Sequence, residues 1–457
     1  MFRRWRTIRI TKPLWPPRRV SFLQVLVSST VAKLRQSALV RGGLVVGAGL
    51  LAGNITGFFR VVVQAYLLGT HARADALAVA IGPIDTLNNA LINTMLVSFV
   101  PMLMLLGEEE RAALFGRASR VFGWILVAVS AAIVVMAPVL ISMLGPGLAH
   151  QQHDEAVLLI RLLAPATLFG GGSAIFAALL YTERRFVAPA LYQACLNGGT
   201  IIGAIALWRA IGVNGFVVGY TSGAAVQLGL TWWVSRDLRR VRAARPSRSS
   251  VREIVTKPGM FLLYAGLLAS NLLVTRAWAT HAGPGMAAAF DYCLRCVSVA
   301  VAYMVYPVAN SLVPEIARLR GANNTAQAYR LINKSVRLML IVSAASCLVG
   351  MFLRTPLIAL LFERGSFTAE STRLVSAVFL GFAPSIVGWA LMDLISRCFF
   401  ALDRPRMPLM AAFIPVTINV AIMWVFGRAL LGRTGDPVYL GLGTSAGFWW
   451  PSAPLLW

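Results

Sequence analysis

Charged side chains are scarce in this 457-residue sequence. Asp, Glu, Lys and Arg together make up 13% of it and hydrophobic residues make up 58%, whereas about 25% charged residues are usual in a soluble domain. This composition excludes a soluble globular enzyme. Because a helix needs about 20 apolar residues to cross a bilayer core of about 30 Å, the chain has room for about a dozen spans.

Cysteine and histidine are also rare, with five and four residues respectively. The cysteines are dispersed among apolar segments, which argues against a disulfide framework. Cys293 and Cys296 have the spacing of a redox pair, but they flank an arginine on an apolar helix without a nearby histidine, so we interpret them as small core residues. The polar stretch 150–155 is more typical of a solvated turn than of a metal site.

Motifs of enzyme chemistry are missing as well. The sequence contains no Walker loop, no Gly-x-Ser-x-Gly elbow and no paired carboxylates of the glycosidase type. A membrane enzyme acting on a lipid would need carboxylates or histidines clustered at one face, whereas 108–110 and 150–155 are predicted on opposite sides. We therefore predict no catalytic residues, no metal and no cofactor.

The basic residues indicate how the chain crosses the membrane. The formal net charge is +25, from 42 Lys and Arg against 17 Asp and Glu. If the N-terminus is cytoplasmic, 31 of the 42 fall in loops on that side and 8, Arg276 among them, on the other, as the positive-inside rule requires. Topology and anionic membrane lipids thus explain the charge without nucleic acid. The predicted spans are 42–69, 76–106, 121–149, 156–181, 186–208, 210–234, 258–280, 286–313, 337–360, 374–396, 407–427 and a weaker 437–457.

One clear linker divides the predicted spans into two sets of six. Residues 235–257 carry eight basic residues and a proline, and they have no apolar face long enough to insert. The division is typical of a transporter built from two repeats. We predict a basic cytoplasmic tail at 1–41, an N-lobe at 42–234, this linker, and a C-lobe at 258–457 whose proline-containing last span is atypical or truncated.

Polar stripes follow several predicted spans. Asn54, Arg60 and Gln64 share one face of the first span, and Asp85 and Asn88 share one face of the second. A charged residue at mid-membrane costs about 2.5–3.5 kcal/mol, so these stripes should face inward.

Two interpretations of the buried arginines stay open. In the first, Arg295 pairs with Asp291 one turn earlier, and Arg60 pairs with Asp75 or Asp85. In the second, both arginines line a wet cavity and hold the phosphate oxygens of an anionic head group. The two interpretations overlap, since one arginine can do both.

Four segments carry a resemblance to a known family. The loop LFERGSFTAEST at 361–372 resembles the hallmark loop of the MurJ/MviN family, lipid II flippases of the MOP exporter superfamily. The segments 57–77, 292–295 and 397–408 are similar to that family's first span and outer loop, its eighth span and its cytoplasmic turn. The motif residues in the two loops are Glu363, Arg364, Gly365, Arg397 and Asp403.

The resemblance implies a fold and a function. The fold would be an all-α, V-shaped MOP or MATE-like transporter with about twelve transmembrane helices in two six-helix lobes around a cationic cavity. It would flip lipid-linked peptidoglycan precursor, lipid II, from the inner to the outer leaflet of the bacterial cytoplasmic membrane by alternating access. Its partners would be lipid II, anionic lipids and cell-wall synthesis enzymes. The implied substrate-binding residues are Arg60, Arg295, Asn54, Gln64 and Asn88, with gating or ion-pair roles for Asp75, Asp85 and Asp291.

The chain departs from the family pattern at the cavity. Asn54 stands where members commonly have an arginine, and Asn88 and Asn89 stand where they tend to have an arginine pair. Two alternatives therefore stay open: export of another polyprenyl-pyrophosphate-linked oligosaccharide, and a homologue that does not transport but scaffolds other proteins.

Overall fold

The computed structural model of the protein describes residues 22–240, 251–322, 324–402, 404, 407, 416–422, 424 and 437–452. In these residues the regular structure is helical and there is no β-strand, which confirms the all-α fold class. The helices are α1 (Phe22–Leu68), α2 (Ala72–Thr94), α3 (Val100–Met104), α4 (Glu108–Leu144), α5 (His150–Thr182), α6 (Val187–Ala190), α7 (Tyr192–Ile211), α8 (Asn214–Val234), α9 (Val251–Ala282), α10 (Met286–Gly321), α11 (Thr325–Phe352), α12 (Arg354–Phe362), α13 (Ala369–Phe382), α14 (Ser385–Ala401) and α15 (Pro437–Ser452).

Proline and side-chain caps determine several helix boundaries. Pro101 has no N–H, and its ring would clash with the carbonyl four residues earlier, so the chain widens into a π-helical turn at Met95–Phe99 before α3. Pro384 lies between α13 and α14, whose axes are bent by 49°. The Thr368 hydroxyl accepts a hydrogen bond from the backbone N–H of Ser371 (3.4 Å) and so caps α13.

Many of the helices are long enough for a membrane. Six helices in the described part of the chain are long and apolar enough to cross one, and the bent pair α13–α14 makes a seventh if it counts as one span. The 37 residues of α4 span about 55 Å, so this helix extends beyond a hydrocarbon core of about 30 Å. A multi-pass membrane protein is therefore confirmed, while the predicted total of about twelve spans stays a prediction.

The helices pack as two groups that meet along a seam. Helices α1–α8, the first half, pack mainly with one another, and helices α9–α15, the second half, do the same. The halves meet where α2 contacts α9 and α10, and where α1 contacts α10 and α12. The predicted N-lobe and C-lobe correspond to these two groups of helices. That each is a separate domain stays a prediction. Part of the predicted tail belongs to α1, and residues 241–250 of the predicted linker lie outside the described residues.

The helices connect at two ends of the bundle. At one end, which we call the closed end, the Gly147 N–H donates to the Thr280 hydroxyl (3.0 Å). At the other, the open end, Arg111 pairs with Glu183 and Arg185 pairs with Asp237. The closed end holds 69–71, 145–149, 283–285 and 363–368, and the open end holds 105–107, 183–186, 235–237, 322 and 324.

Candidate functional site

A polar cavity of about 440 Å³ lies between the two halves. The first half contributes α1, α2, the π-helical turn, α5, α6 and α7, and the second half contributes α10 and α14. Asparagine is its most frequent polar residue, and toward the open end exposed side chains such as Asn93 and Asn310 border it. The cavity therefore has access to solvent from the open end. Its polar and aromatic lining includes Asn54, Asn89, Asn93, Tyr181, Tyr192, Gln193, Arg295, Ser298, Tyr306, Asn310, Trp389, Asp393 and Arg397.

Arg295 reaches across the seam from α10 to α1. Its Nη2 donates to the backbone carbonyl of Asn54 (2.6 Å), and its Nε has no hydrogen-bond partner among the described residues. Gly57 makes this position possible, because a Cβ there would occupy the space of the guanidinium group. Arg295 thus keeps an unused donor beside the cavity lining.

Arg60 lies further along α1 toward the closed end and is ion-paired. Its Nη2 donates to Asp85 Oδ2 (3.3 Å), while Asp85 Oδ1 accepts a hydrogen bond from the Tyr220 hydroxyl (3.0 Å). The Nε and Nη1 of Arg60 have no protein partner in the described part of the chain. Of the two predicted partners, Asp85 is the one that pairs with Arg60, and two donors are left over.

Asp291 pairs differently from the interpretation that joined it to Arg295. Both Nε (3.0 Å) and Nη2 (2.5 Å) of Arg276 donate to Asp291 Oδ1. This correction has a physical reason: a two-donor contact from the neighbouring helix α9 is stronger than a single-helix pair four residues apart, and Arg295 points to α1 instead. Arg276, which the sequence count assigned to an outer loop, is therefore buried inside the bundle.

Gln64 and Asn88 are buried away from the cavity lining. Asn88 is fully buried, and its Nδ2 donates to the carbonyl of Ala166 (3.3 Å) and to the Tyr220 hydroxyl (3.4 Å). Gln64 is 6% exposed. In this conformation both side chains contact protein rather than the cavity. The polar arc on each helix is wide, so some of its residues pack against neighbouring helices while others face the cavity.

Asp75 joins the halves at the closed end. Its Oδ2 accepts from the Gly285 N–H (2.6 Å) and its Oδ1 from the Ala288 N–H (2.9 Å), at the first turn of α10. Free N–H groups and the helix dipole both favour a carboxylate at this position. The Tyr292 hydroxyl donates to the Gly69 carbonyl (2.6 Å) nearby. Asp75 and Tyr292 are both buried, so the cavity is sealed here.

The motif loop 363–367 completes this seal. Gly365 has φ +63°, and a Cβ on it would collide with Tyr66, so only glycine fits without strain. The Ser366 N–H donates to the Tyr66 carbonyl (2.8 Å). Glu363 accepts a hydrogen bond from the Thr372 hydroxyl (2.6 Å), which fixes the turn against α13.

Near the open end, Arg397 borders the cavity. Its Nε (3.0 Å) and Nη2 (3.3 Å) donate to the two carboxylate oxygens of Asp393, and its guanidinium lies 5.2 Å from the centre of the Tyr306 ring. The sequence reasoning missed Asp393, although a carboxylate four residues before a motif arginine is a signal for such a pair. Asp403 lies outside the described residues.

A buried polar cluster in the second half was also missed. The Nδ2 of Asn419 donates to Oδ1 of Asn271 (2.6 Å) and to the Thr275 hydroxyl (2.9 Å), and Thr275 contacts the Thr444 hydroxyl (2.8 Å). The cluster connects α9, residues 416–422 and α15. Single neutral polar residues in apolar segments gave no charge signal from which to find it.

Comparisons with known proteins agree with this architecture. A family model described as "Lipid II flippase MurJ" matches residues 64–457. A protein of Rhizobium meliloti (strain 1021) named "Probable lipid II flippase MurJ" is 26% identical over 403 residues, which cover 84% of this chain and 75% of that protein.

Two solved structures share the fold. One, titled "Lipid II flippase MurJ, inward closed conformation", superposes with a TM-score of 0.78 at 21% identity, covering 90% of this chain and 87% of the other. An inward-facing multidrug resistance MATE family transporter of the MOP superfamily gives 0.73 at 14% identity, covering 88% and 94%. The resemblance seen in the sequence motifs is thereby confirmed. Since the family model covers most of its length, the chain belongs to the MurJ family of lipid II flippases.

Proposed function

We propose that this protein flips lipid II from the inner to the outer leaflet of the bacterial cytoplasmic membrane by alternating access, as a transporter without catalysis. Membership of the MurJ family supports the substrate class. The excess of basic residues at the open end supports a cytoplasmic N-terminus and a cavity that faces the cytoplasm.

The observation that carries the proposal is the pair of arginines with unused donors. Arg295 lines the cavity and has an Nε without a hydrogen-bond partner in the described part of the chain. Arg60 is not one of the lining residues; it lies further along α1 toward the closed end, and its Nε and Nη1 have no partner among the described residues. A planar guanidinium can give two parallel hydrogen bonds to phosphate oxygens, and buried donors without partners are costly. A pyrophosphate entering from the open end would satisfy both arginines while the sugar and peptide groups contact the asparagines.

The membrane potential offers a source of energy for this step. In a cell that is negative inside, moving a pyrophosphate with two negative charges outward releases about 4.6 kcal/mol per 100 mV if the whole charge crosses the field. The gain is smaller to the extent that arginines move with the phosphate.

Alternating access requires the halves to separate at the closed end. The contacts that must break include those of Asp75, Tyr292 and Gly147 and those of the loop 363–367 with the opposite half. The predicted lobes 42–234 and 258–457 would then rock about the cavity, joined by the predicted linker 235–257.

Transport in cells depleted of their own flippase tests the proposal. Arg295→Ala and Arg60→Ala should abolish lipid II translocation at normal membrane abundance. Arg161→Ala should not, because Arg161 is exposed and its Nε donates to the Val134 carbonyl (3.3 Å). Arg295→Lys separates the effect of charge from that of geometry, because lysine keeps the positive charge but lacks the planar guanidinium that can give two parallel hydrogen bonds. Full transport by both alanine variants would contradict the role of the cavity arginines.

Two further measurements test orientation and substrate. A cysteine at Ser247 in the linker should be labelled only from the cytoplasmic side, and labelling from outside would overturn the orientation. Translocation of a different polyprenyl-pyrophosphate-linked oligosaccharide in place of lipid II would identify the alternative substrate. A failure to move either lipid despite good membrane expression would favour a scaffold.

A further inference from the structure

A second cavity opens on the outside of the bundle near the closed end. Its volume is about 480 Å³, within the range of about 300–1,000 Å³ that is usual for small-molecule sites. It lies between the last turns of α1 and α7 and the residues that follow α12. Its wall is mostly apolar, and it includes Val62, Val63, Tyr66, Ala206, Trp208 and Phe362.

This cavity, which we call the rim groove, is separate from the polar cavity. At 100° per residue, Val62, Val63 and Tyr66 lie on a different face of α1 from Arg60 and Gln64. Tyr66 is 53% exposed. The groove therefore faces the surroundings of the bundle, and in a membrane its apolar wall contacts lipid.

Two arginines stand at the rim groove. Arg209, in the last turn of α7, is exposed and has no hydrogen-bond or ion-pair partner among the described residues. Arg364 is also exposed, and its Nη2 donates to the carbonyl of Leu360 (3.1 Å), which leaves most of its donors free. No carboxylate lines the groove in the part of the chain that the structure describes. Among the lining residues, the positive charge of the two arginines is therefore not balanced by a carboxylate.

The neighbouring aromatic side chains indicate the depth of these arginines. Tyr66 and Trp208 both line the groove close to the ends of their helices. Tyrosine and tryptophan are enriched at the level of lipid head groups, where a polar tip meets water and the ring meets acyl chains. Arg209 and Arg364 thus lie at the level of lipid phosphates, with an apolar groove beneath them.

We propose that the rim groove binds an anionic glycerophospholipid, with its phosphate between Arg209 and Arg364 and one acyl chain along Val62, Val63 and Ala206. Charge complementarity favours an anionic over a zwitterionic head group. The apolar wall favours an acyl chain over free phosphate. The transported lipid is a less suitable occupant, because the groove lies outside the polar cavity and its wall offers no polar contacts for a glycan.

The rim groove is lined by residues of both halves, so a lipid bound there would affect transport. Arg209 and Tyr66 belong to the first half, whereas Phe362 and Arg364 belong to the second. A lipid bound to both halves stabilises the closed end, where the Ser366 N–H meets the Tyr66 carbonyl. This consequence rests on the proposed alternating access, whereas the binding site itself does not.

The test is the lipid retained by the purified protein. The full chain is reconstituted in nanodiscs of phosphatidylcholine with a minor fraction of phosphatidylglycerol, and retained lipids are counted by native mass spectrometry. We expect enrichment of phosphatidylglycerol over the bulk ratio and a loss of about fivefold for each arginine removed, in Arg209→Ala and Arg364→Ala. Ala206→Phe, which fills the groove at an exposed position, should also abolish enrichment. Arg373→Ala, an exposed arginine at the same end but outside the groove, should have no effect.

Three results would overturn the site. The wild-type protein could retain the two phospholipids in their bulk ratio. The enrichment could survive in both the double arginine variant and Ala206→Phe, or the protein could retain a polyprenyl lipid in place of the phospholipid. Translocation is measured separately on the same variants. A protein that enriches phosphatidylglycerol but does not translocate lipid II keeps the site and contradicts only the proposed function.

Discussion

The two ends of the helix bundle are held together in different ways. At the closed end, Asp75, Tyr292 and Ser366 make hydrogen bonds that join one half to the other, and each of these bonds involves a backbone group. At the open end, the ion pairs Arg111–Glu183 and Arg185–Asp237 each join groups of the same half. The difference indicates that only the closed-end contacts need to break for the halves to separate there, while the open-end pairs keep the first half intact.

The largest effect is expected from removing Asp75. In Asp75→Ala the N–H groups of Gly285 and Ala288 lose their acceptor, at a cost of about 1–3 kcal/mol for each buried donor. The closed end should then open more often. We expect a cysteine at Thr70 to react with a water-soluble maleimide at least about tenfold faster than in the Asp75 parent. Asp154→Ala, at an exposed position of the same end, is the control, and equal rates in all three proteins would show that Asp75 does not hold the halves together.

The next effect is expected at Gly57, which lies against Arg295. Gly57→Ala places a methyl group in the space of the guanidinium, so Arg295 must move away from the Asn54 carbonyl. We expect lipid II translocation to fall nearly as far as in Arg295→Ala, without loss of membrane abundance. Gly198→Ala is a matched control, because its new Cβ has no atom within 4 Å. Normal transport by Gly57→Ala would show that the position of Arg295 is not critical.

A smaller effect is expected at Gly365 in the motif loop. Gly365→Ala forces a left-handed residue to carry a side chain and pushes that side chain into Tyr66, which should cost about 1–2 kcal/mol. The midpoint of thermal unfolding should fall by a few degrees, and reactivity at Thr70 should rise less than in Asp75→Ala. Gly321→Ala meets no neighbouring atom and serves as the control. An unchanged midpoint of unfolding would show that the loop does not stabilise the closed end.

The smallest effect is expected for the exposed pair Arg185–Asp237 at the open end. The hydrogen bonds from Arg185 lower the pKa of the Asp237 carboxyl below its ordinary value. Because the pKa is lowered, the pair stabilises the folded protein fully above the ordinary pKa of aspartate. This stabilisation is lost as the pH falls through the lowered pKa. Between pH 6 and 8, Asp237→Asn should therefore shift the unfolding midpoint by the same small amount at every pH. A pH-dependent shift in that range would contradict the assignment.

The sequence predicted the all-α fold class and the inward orientation of Arg60 and Arg295, and for a clear reason. Long apolar runs interrupted by Arg60 and Arg295 are costly in a membrane, so their inward orientation follows from the bilayer alone. The loop motif at 361–372 could be identified by its resemblance to the family's hallmark loop, but only the structure shows which residues the loop contacts. Its glycine fits against Tyr66, a contact between residues almost 300 positions apart that no local pattern encodes.

The pairing of the buried charges could not be predicted. Asp291 has two arginines within reach, and the choice of Arg276 depends on how α9 packs against α10. Among the described residues Asp75 has no cationic partner, because backbone N–H groups of α10 satisfy it, and a sequence does not mark those groups. Asn88 lies on a polar arc, yet Gly170 and Tyr220 enclose it.

Arg295 and Arg60 are the residues that we propose to hold the pyrophosphate of lipid II between the two halves, at a site that opens at one end at a time. The most direct measurement is the amount of lipid II that reaches the outer leaflet in cells depleted of their own flippase and supplied with this protein or its Arg295→Ala variant at matched abundance. We expect the intact protein to restore lipid II at the outer leaflet and the variant to leave it at the level of the depleted cells. Equal translocation by the two proteins, or none by the intact one, would contradict the claim.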